Sequence, residues 1–304
     1  MSEPASETRL SAGRVAIVVP CYESARYLRN TVLSVLAQTR PSWTLVVVDD
    51  GSTDNPEAEV ADLLADSRIR LISQSNLGVA AARNRGVRER PPSDYLLFLD
   101  ADDLLEPAML ETLCSWLDRH QGAAAAYCQA SLIDEGGNPL TSSPWAPTRL
   151  RPSRLGIEAI PDDDPMTPFV SIFCRAGIVP STVVMRRSVY EQTPGWDEAF
   201  GQHYEDTLLF LHLALRGQIH FVAKALVRRR RHEGQSTSQP EKFKRQERKL
   251  YDAWRSVSGL TPDQAEVVRK AWQFRERRRR GGQPGARGFS RPSRGARPPE
   301  RPQA

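Results

Sequence analysis

Tyr95-Leu96-Leu97-Phe98-Leu99-Asp100-Ala101-Asp102-Asp103 decides how this chain reads. Five apolar residues run directly into three carboxylates within four positions. A continuous apolar run of that length reads as a strand buried on both faces. Open α/β sheets bind ligands beyond the C-terminal ends of their strands, which is where the acids fall. Carboxylates so close repel one another unless a positive charge comes between them. A hard divalent cation, Mg²⁺ or Mn²⁺ holding a diphosphate, does that. The bland alternative is an acidic loop in which Asp103 caps a helix starting near Pro107.

The same pattern stands upstream. Residues 14–20 form a first apolar run, ended by Pro20. The loop Cys21-Tyr22-Glu23-Ser24 follows, with Ser24 in position to cap a helix carrying Leu28, Val32, Val35 and Leu36 on one face. Residues 44–48 are a second apolar run, and it too ends in acids, Asp49-Asp50-Gly51-Ser52-Thr53-Asp54. Further strands are expected at 69–72, 123–128, 182–185 and 219–227, with helices at 78–88, 107–119 and from Glu205. That alternation predicts an α/β fold: a mostly parallel, Rossmann-like sheet flanked by helices. The expected organisation is a flexible stretch 1–13, one domain at 14–240, a charged helical extension at 241–276 and a disordered tail at 277–304. Within the domain, 14–130 is the nucleotide side and 131–240 the acceptor side. Residues 134–180 are proline-rich and aperiodic, which reads as a lid or binding loop.

Composition narrows the classes. The formal charge is +5, but residues 277–304 hold nine Arg and one Glu, so the remainder is net negative. The basicity belongs to the tail and does not argue for a fold that binds specific nucleic acid. The tail also lacks the interleaved aromatics that stack on bases. It suits peripheral contact with an anionic membrane surface. Cys21, Cys114, Cys128 and Cys174 show no C-x-x-C spacing, which argues against a zinc site and fits a reducing compartment. With no apolar signal region and no run of about 18 apolar residues, the expected location is cytoplasmic.

Gly78-Val79-Ala80-Ala81-Ala82-Arg83-Asn84-Arg85-Gly86 lies between the two acid-ended strands. An Arg one and a half turns into a helix can reach the acids, either as an ion-pair brace or as an anion clamp. Glu205-Asp206 opens a helix, where acids commonly complement the dipole. His232 follows four arginines, which could pair with phosphates or alternate across an edge strand.

Taken in order, Pro20-Cys21-Tyr22-Glu23, Asp49 to Asp54, Asn76 to Gly86, Asp100-Ala101-Asp102-Asp103, Gly195-Trp196-Asp197-Glu198, Glu205-Asp206 and Arg231-His232-Glu233-Gly234-Gln235-Ser236 resemble family 2 glycosyltransferases of the GT-A fold, over residues 14–238. The resemblance implies an inverting transferase that takes a nucleotide-diphospho-sugar, with uridine as the default base, to a saccharide or lipid-linked acceptor. It implies that Pro20, Tyr22, Glu23 and Asp49 or Asp50 line the nucleoside pocket. Arg83 would hold the nucleotide, and Asp100 would face the ribose. Asp102 would bind Mn²⁺ or Mg²⁺, with His232 approaching the same metal, and Asp103 would orient its neighbours. Asp206 would be the base, with Glu205 beside it. Glu23 departs from the pattern, where Asn is frequent.

Two rivals stand against this. A haloacid-dehalogenase-type phosphatase also places D-x-D after a buried strand, but it needs a downstream Lys, and none occurs between Asp103 and Lys224. A non-enzymatic adaptor would put the function in the basic tail.

Overall fold

The structure is a computed structural model that describes residues 13–89, 92–140, 178–200, 204–232, 249–254, 257, 259–266, 268–270 and 273. The expected tail 277–304, most of the proline-rich stretch, residues 1–12 and residues 233–248 lie outside the described residues. Parts of the extension expected at 241–276 are described, and 249–254 and 262–266 are helical.

One eight-stranded sheet organises the chain. Its strands are β1 Val15–Cys21, β2 Trp43–Asp49, β3 Ile69–Ser73, β4 Tyr95–Phe98, β5 Leu104–Leu105, β6 Ala123–Ile133, β7 Val183–Arg186 and β8 Gln218–Arg230. The order is β3-β2-β1-β4-β7-β6-β8-β5. β3, β2, β1 and β4 run parallel, joined by α1 Ala25–Leu36, α2 Pro56–Val60 and α3 Val79–Arg88. β7 enters antiparallel between β4 and β6, β6 and β8 are parallel, and β5 pairs antiparallel on β8. The helices α4 Met109–Arg119, α5 Arg187–Tyr190 and α6 Glu205–Ala214 complete the layers. The 130/131 boundary falls inside β6, so both halves share this one sheet.

Alternation along the strands builds two cores. Val15, Ile17 and Val19 face α1 and α4, whereas Ala16 and Val18 face the side carrying α3 and α6. Both sets are fully buried, as a strand covered on both faces requires. Gly86 lets α3 approach β1 closely: a Cβ there would lie 2.3 Å from Val18 Cγ1.

Several local expectations are corrected. Pro20 does not end β1, which runs through Cys21. Val18 C=O accepts from Leu99 N–H on the β4 side, so Pro20, two residues on, also faces that side, beyond the last β4 partner. Its missing N–H therefore costs no ladder bond. Ser24 sits at the α1 N-cap but its hydroxyl donates to Tyr22 C=O; the free Ala25 N–H is taken by Asp54 from the β2 loop, at 2.8 Å. Asp103 does not cap α4, whose N-cap is Ala108. β8 extends to Arg230, so three of the four arginines lie in the strand and alternate across it.

Candidate active site

Three loops converge at the C-terminal ends of β1, β2 and β4. Glu23 adopts φ 49°, a left-handed conformation that Asn tolerates better than Glu. Its carboxylate accepts from Thr53 N–H at 2.8 Å, and its own N–H donates to Ser52 Oγ at 3.2 Å. Glu23 thereby ties the β1 loop to the β2 loop. Tyr22, beside it, is 49% exposed and offers an open ring face. Asp49 Oδ1 accepts from Ser52 N–H. Asp50 is buried, and its carboxylate accepts from Gln74 Nε2, Leu77 N–H and Gly78 N–H at 2.7–2.9 Å. Those three donors fix the turn at Gly78 (φ 92°) from which α3 springs, so Asp50 shapes the site from behind.

The loop after β4 is held the same way. Thr31 Oγ1 of α1 donates within reach of two carbonyls, Ala101 at 2.8 Å and Asp103 at 2.9 Å. Asp103 turns inward: its oxygens accept from Ser181 Oγ at 2.7 Å and Arg230 N–H at 3.0 Å. Burial, with the charges of Asp102 and Asp100, pushes its carboxyl well above the usual range. Asp103 is thus an internal pivot, tying the loop after β4 to Ser181 and to the end of β8. Arg230 is equally internal, donating to the carbonyls of Asp102, Asp134 and Glu135.

That leaves Asp100 and Asp102 at the mouth. Asp102 Oδ2 lies 2.9 Å from His232 Nε2, and the His232 ring packs on Tyr27 with centroids 5.1 Å apart. His232 Nδ1 and the Tyr27 hydroxyl are buried without a hydrogen-bond partner among the described residues. Among the described residues no group of three or more His, Cys, Asp or Glu could hold a metal by itself. The Asp102 carboxylate is an oxygen donor of the kind Mg²⁺ or Mn²⁺ takes while water and substrate phosphate complete its shell, whereas the His232 imidazole is a softer donor that Mg²⁺ does not favour.

The acids of α6 meet those of β4 through Arg83. This guanidinium is buried; it donates to Asp100 Oδ1 at 2.9 Å and to Glu205 Oε1 at 3.1 Å. The guanidinium thus bridges the acid loop after β4 and the acid pair that opens α6. Glu205 Oε2 is buried and has no hydrogen-bond partner among the described residues. Burial, then the neighbouring Asp206 charge, pushes the Glu205 carboxyl up from 4.5 to about 7 against the pull of Arg83. Asp206 is also raised, chiefly by burial, while the Thr207 N–H at 2.6 Å opposes the shift. Because the folded state keeps a proton that the unfolded chain releases, Glu205 contributes stability below about 4.5 that is lost as pH rises through about 7. Glu205→Gln should flatten that fall in urea titrations across the same window; an unchanged slope contradicts it.

Thr31, Asn84 and Ser181 build this site without having been singled out for it. Trp196 and Arg230 belong to the Gly195-Trp196-Asp197-Glu198 stretch and to the arginine run already read in the sequence. Asn84 could have been found as the neighbour of Arg83. Ser181 carries no sequence signal.

The model of glycosyl transferase family 2 matches residues 16–181. Glycosyltransferase GlyG of Streptococcus pneumoniae is 38% identical over 102 residues, 33% of this chain and 33% of GlyG. The chain thus covers about a third of that relative's own length. S. aureus TarS, solved with UDP-GlcNAc, superposes with TM-score 0.65 at 18% identity, over 86% of this chain and 73% of that one. Mannosyltransferase PcManGT of Pyrobaculum calidifontis, solved with GDP-Man and Mn²⁺, gives TM-score 0.64 at 15% identity, over 86% and 70%. At such identities the two structures speak for the fold alone.

Proposed function

The chain belongs to glycosyl transferase family 2, and from that premise we propose that it transfers a sugar, with inversion, from a UDP-sugar to a hydroxyl of a saccharide or lipid-linked acceptor. One observation carries the reading: Arg83 joins the acid loop after β4 to the acid pair that opens α6. A donor site and a base site thus share one buried cation.

In this reading Tyr22 gives the base a face, Glu23 and Asp49 stand at its edge, and Asp100 meets the ribose. Asp102 and His232 would hold Mn²⁺ or Mg²⁺, which offsets charge on the departing diphosphate. Asp206 takes the proton of the acceptor hydroxyl, whose oxygen then attacks the anomeric carbon. The new C–O bond forms as the bond to the diphosphate breaks, and UDP leaves with the electron pair. Burial raises both Glu205 and its neighbour Asp206, so the two acids titrate as a pair.

The uridine and manganese choices take support from the complexes of the two structural neighbours. Calorimetric titration of UDP, GDP and dTDP, with and without Mn²⁺, tests both. UDP should bind only with the metal, and Asp102→Ala should abolish that dependence. If none of the three binds to folded protein, the reading fails. No described helix is long and apolar enough to cross a membrane.

A further inference from the structure

Gly195-Trp196-Asp197-Glu198 has no part in the chemistry above, yet α3 grips it with a single side chain. Asn84 follows Arg83 in sequence. Its Nδ2 donates to Trp196 C=O at 2.8 Å and lies 2.8 Å from Glu198 Oε1, and its Oδ1 accepts from Trp196 N–H at 3.1 Å. The Tyr190 hydroxyl adds a longer contact to the same Oδ1 at 3.4 Å. One amide therefore holds both backbone groups of Trp196. Gly195 makes that approach feasible: it sits at φ 75°, and a Cβ there would lie 3.3 Å from Asn84 Oδ1.

The Trp196 ring is driven inward by this grip. It is 2% exposed and meets Phe98 of β4 edge-on, with centroids 4.9 Å apart. Its face lies 4.1 Å from the Arg83 guanidinium carbon. Arg83 Nε is buried and has no hydrogen-bond partner among the described residues. Two carboxylates hold the ends of the guanidinium, and the indole face supports its plane, where a cation–π contact is strengthened by exclusion of water.

We infer that Asn84 is a positioning residue for transfer: it latches Trp196 beneath Arg83 and so sets where Glu205 and Asp206 stand relative to the donor loop. The inference rests on the transferase reading for its kinetic consequence, but not for its geometry. Loosening the latch lets Arg83 follow Asp100 and lose Glu205. Donor contacts at Tyr22, Asp100 and Asp102 keep their own supports in Glu23, Thr31 and Asp103. The effect thus falls on turnover and not on nucleotide binding.

Asn84→Ala, Asn84→Asp and Trp196→Phe separate the possibilities. Asn84→Asp keeps the acceptor but loses both Nδ2 donors and faces Glu198 with a like charge; Trp196→Phe keeps a smaller ring face should the alanine variant not fold. Hydrolysis of UDP-GlcNAc with Mn²⁺ reads turnover. Both Asn84 variants should lose between about 10- and 100-fold in kcat, the scale of a misplaced catalytic group, with KM and the UDP dissociation constant within about threefold. Trp196→Phe should lose less, in the same direction. Parallel loss of kcat and UDP affinity, or no loss of kcat, overturns the latch. Hydrogen exchange needs no nucleotide: amides of residues 205–208 should exchange about 10-fold faster in the Asn84 variants, with β1 and β2 unchanged. Unaltered exchange there also overturns it. A wild type that ignores UDP would instead overturn the transferase reading and leave the exchange result to decide the latch.

Discussion

Asp206→Asn should lower kcat by between about 10² and 10⁴, the usual worth of a positioned general base, and leave UDP binding within about threefold. The substitution keeps the shape and the hydrogen bond from Thr207 N–H, at 2.6 Å to Oδ1 in the wild type. It removes only the capacity to accept a proton. Glu205→Gln tests the converse. If Glu205 holds its proton near neutral pH while Asp206 ionises, the amide mimics the working state, and turnover should survive far better. Steady-state kinetics on both variants decides the order. A larger loss in Glu205→Gln than in Asp206→Asn would exchange the two roles, since the acids are adjacent and both are raised by burial.

Arg83→Met is the second large effect, and it is one of stability. Removing one partner of a buried ion pair costs about 3–5 kcal/mol, because the remaining charge is left uncompensated. The side chain of Asp100 is 33% exposed and recovers water; that of Glu205 is only 10% exposed and does not. Most of the loss therefore comes from Glu205, and protonation relieves it. Without Arg83 the Glu205 carboxyl rises further, so the variant's deficit in urea unfolding should be smaller at about pH 5 than at about pH 8. An equal deficit at both would place the loss in the Trp196 contact instead. Arg83→Lys should restore only part, because an ammonium cannot span two carboxylates and lie flat on an indole.

Much of this arrangement is legible in the chain. The short apolar runs at 15–19, 44–48 and 95–99 read as buried strands, and acids just past such strands mark a ligand-binding edge. The spacing of Arg83 within α3 told that it reaches acids, but not which ones, because Glu205 is 122 residues away in sequence. Local pattern could not show β7 entering antiparallel between β4 and β6, since strand direction depends on a connection that is neither short nor periodic. The split among the aspartates was equally hidden. Asp50 and Asp103 face inward because Gln74, Gly78, Ser181 and Arg230 offer donors there, whereas Asp100 and Asp102 open outward. Those donors come from distant segments, so four similar acids in sequence become two internal supports and two groups at the mouth. Glu23 shows the opposite case: a departure from the family pattern that the fold absorbs, with its carboxylate bound to Thr53.

Asp102 and His232 are proposed to hold the cation of a nucleoside diphosphate at the end of β4. Crystals grown with UDP and Mn²⁺ and measured at the manganese edge test it most directly. An anomalous peak is expected within coordination distance of the Asp102 carboxylate, touching the diphosphate, with the uracil against Tyr22. Ordered UDP with no metal at Asp102, or manganese bound elsewhere with that carboxylate still on His232, would contradict it.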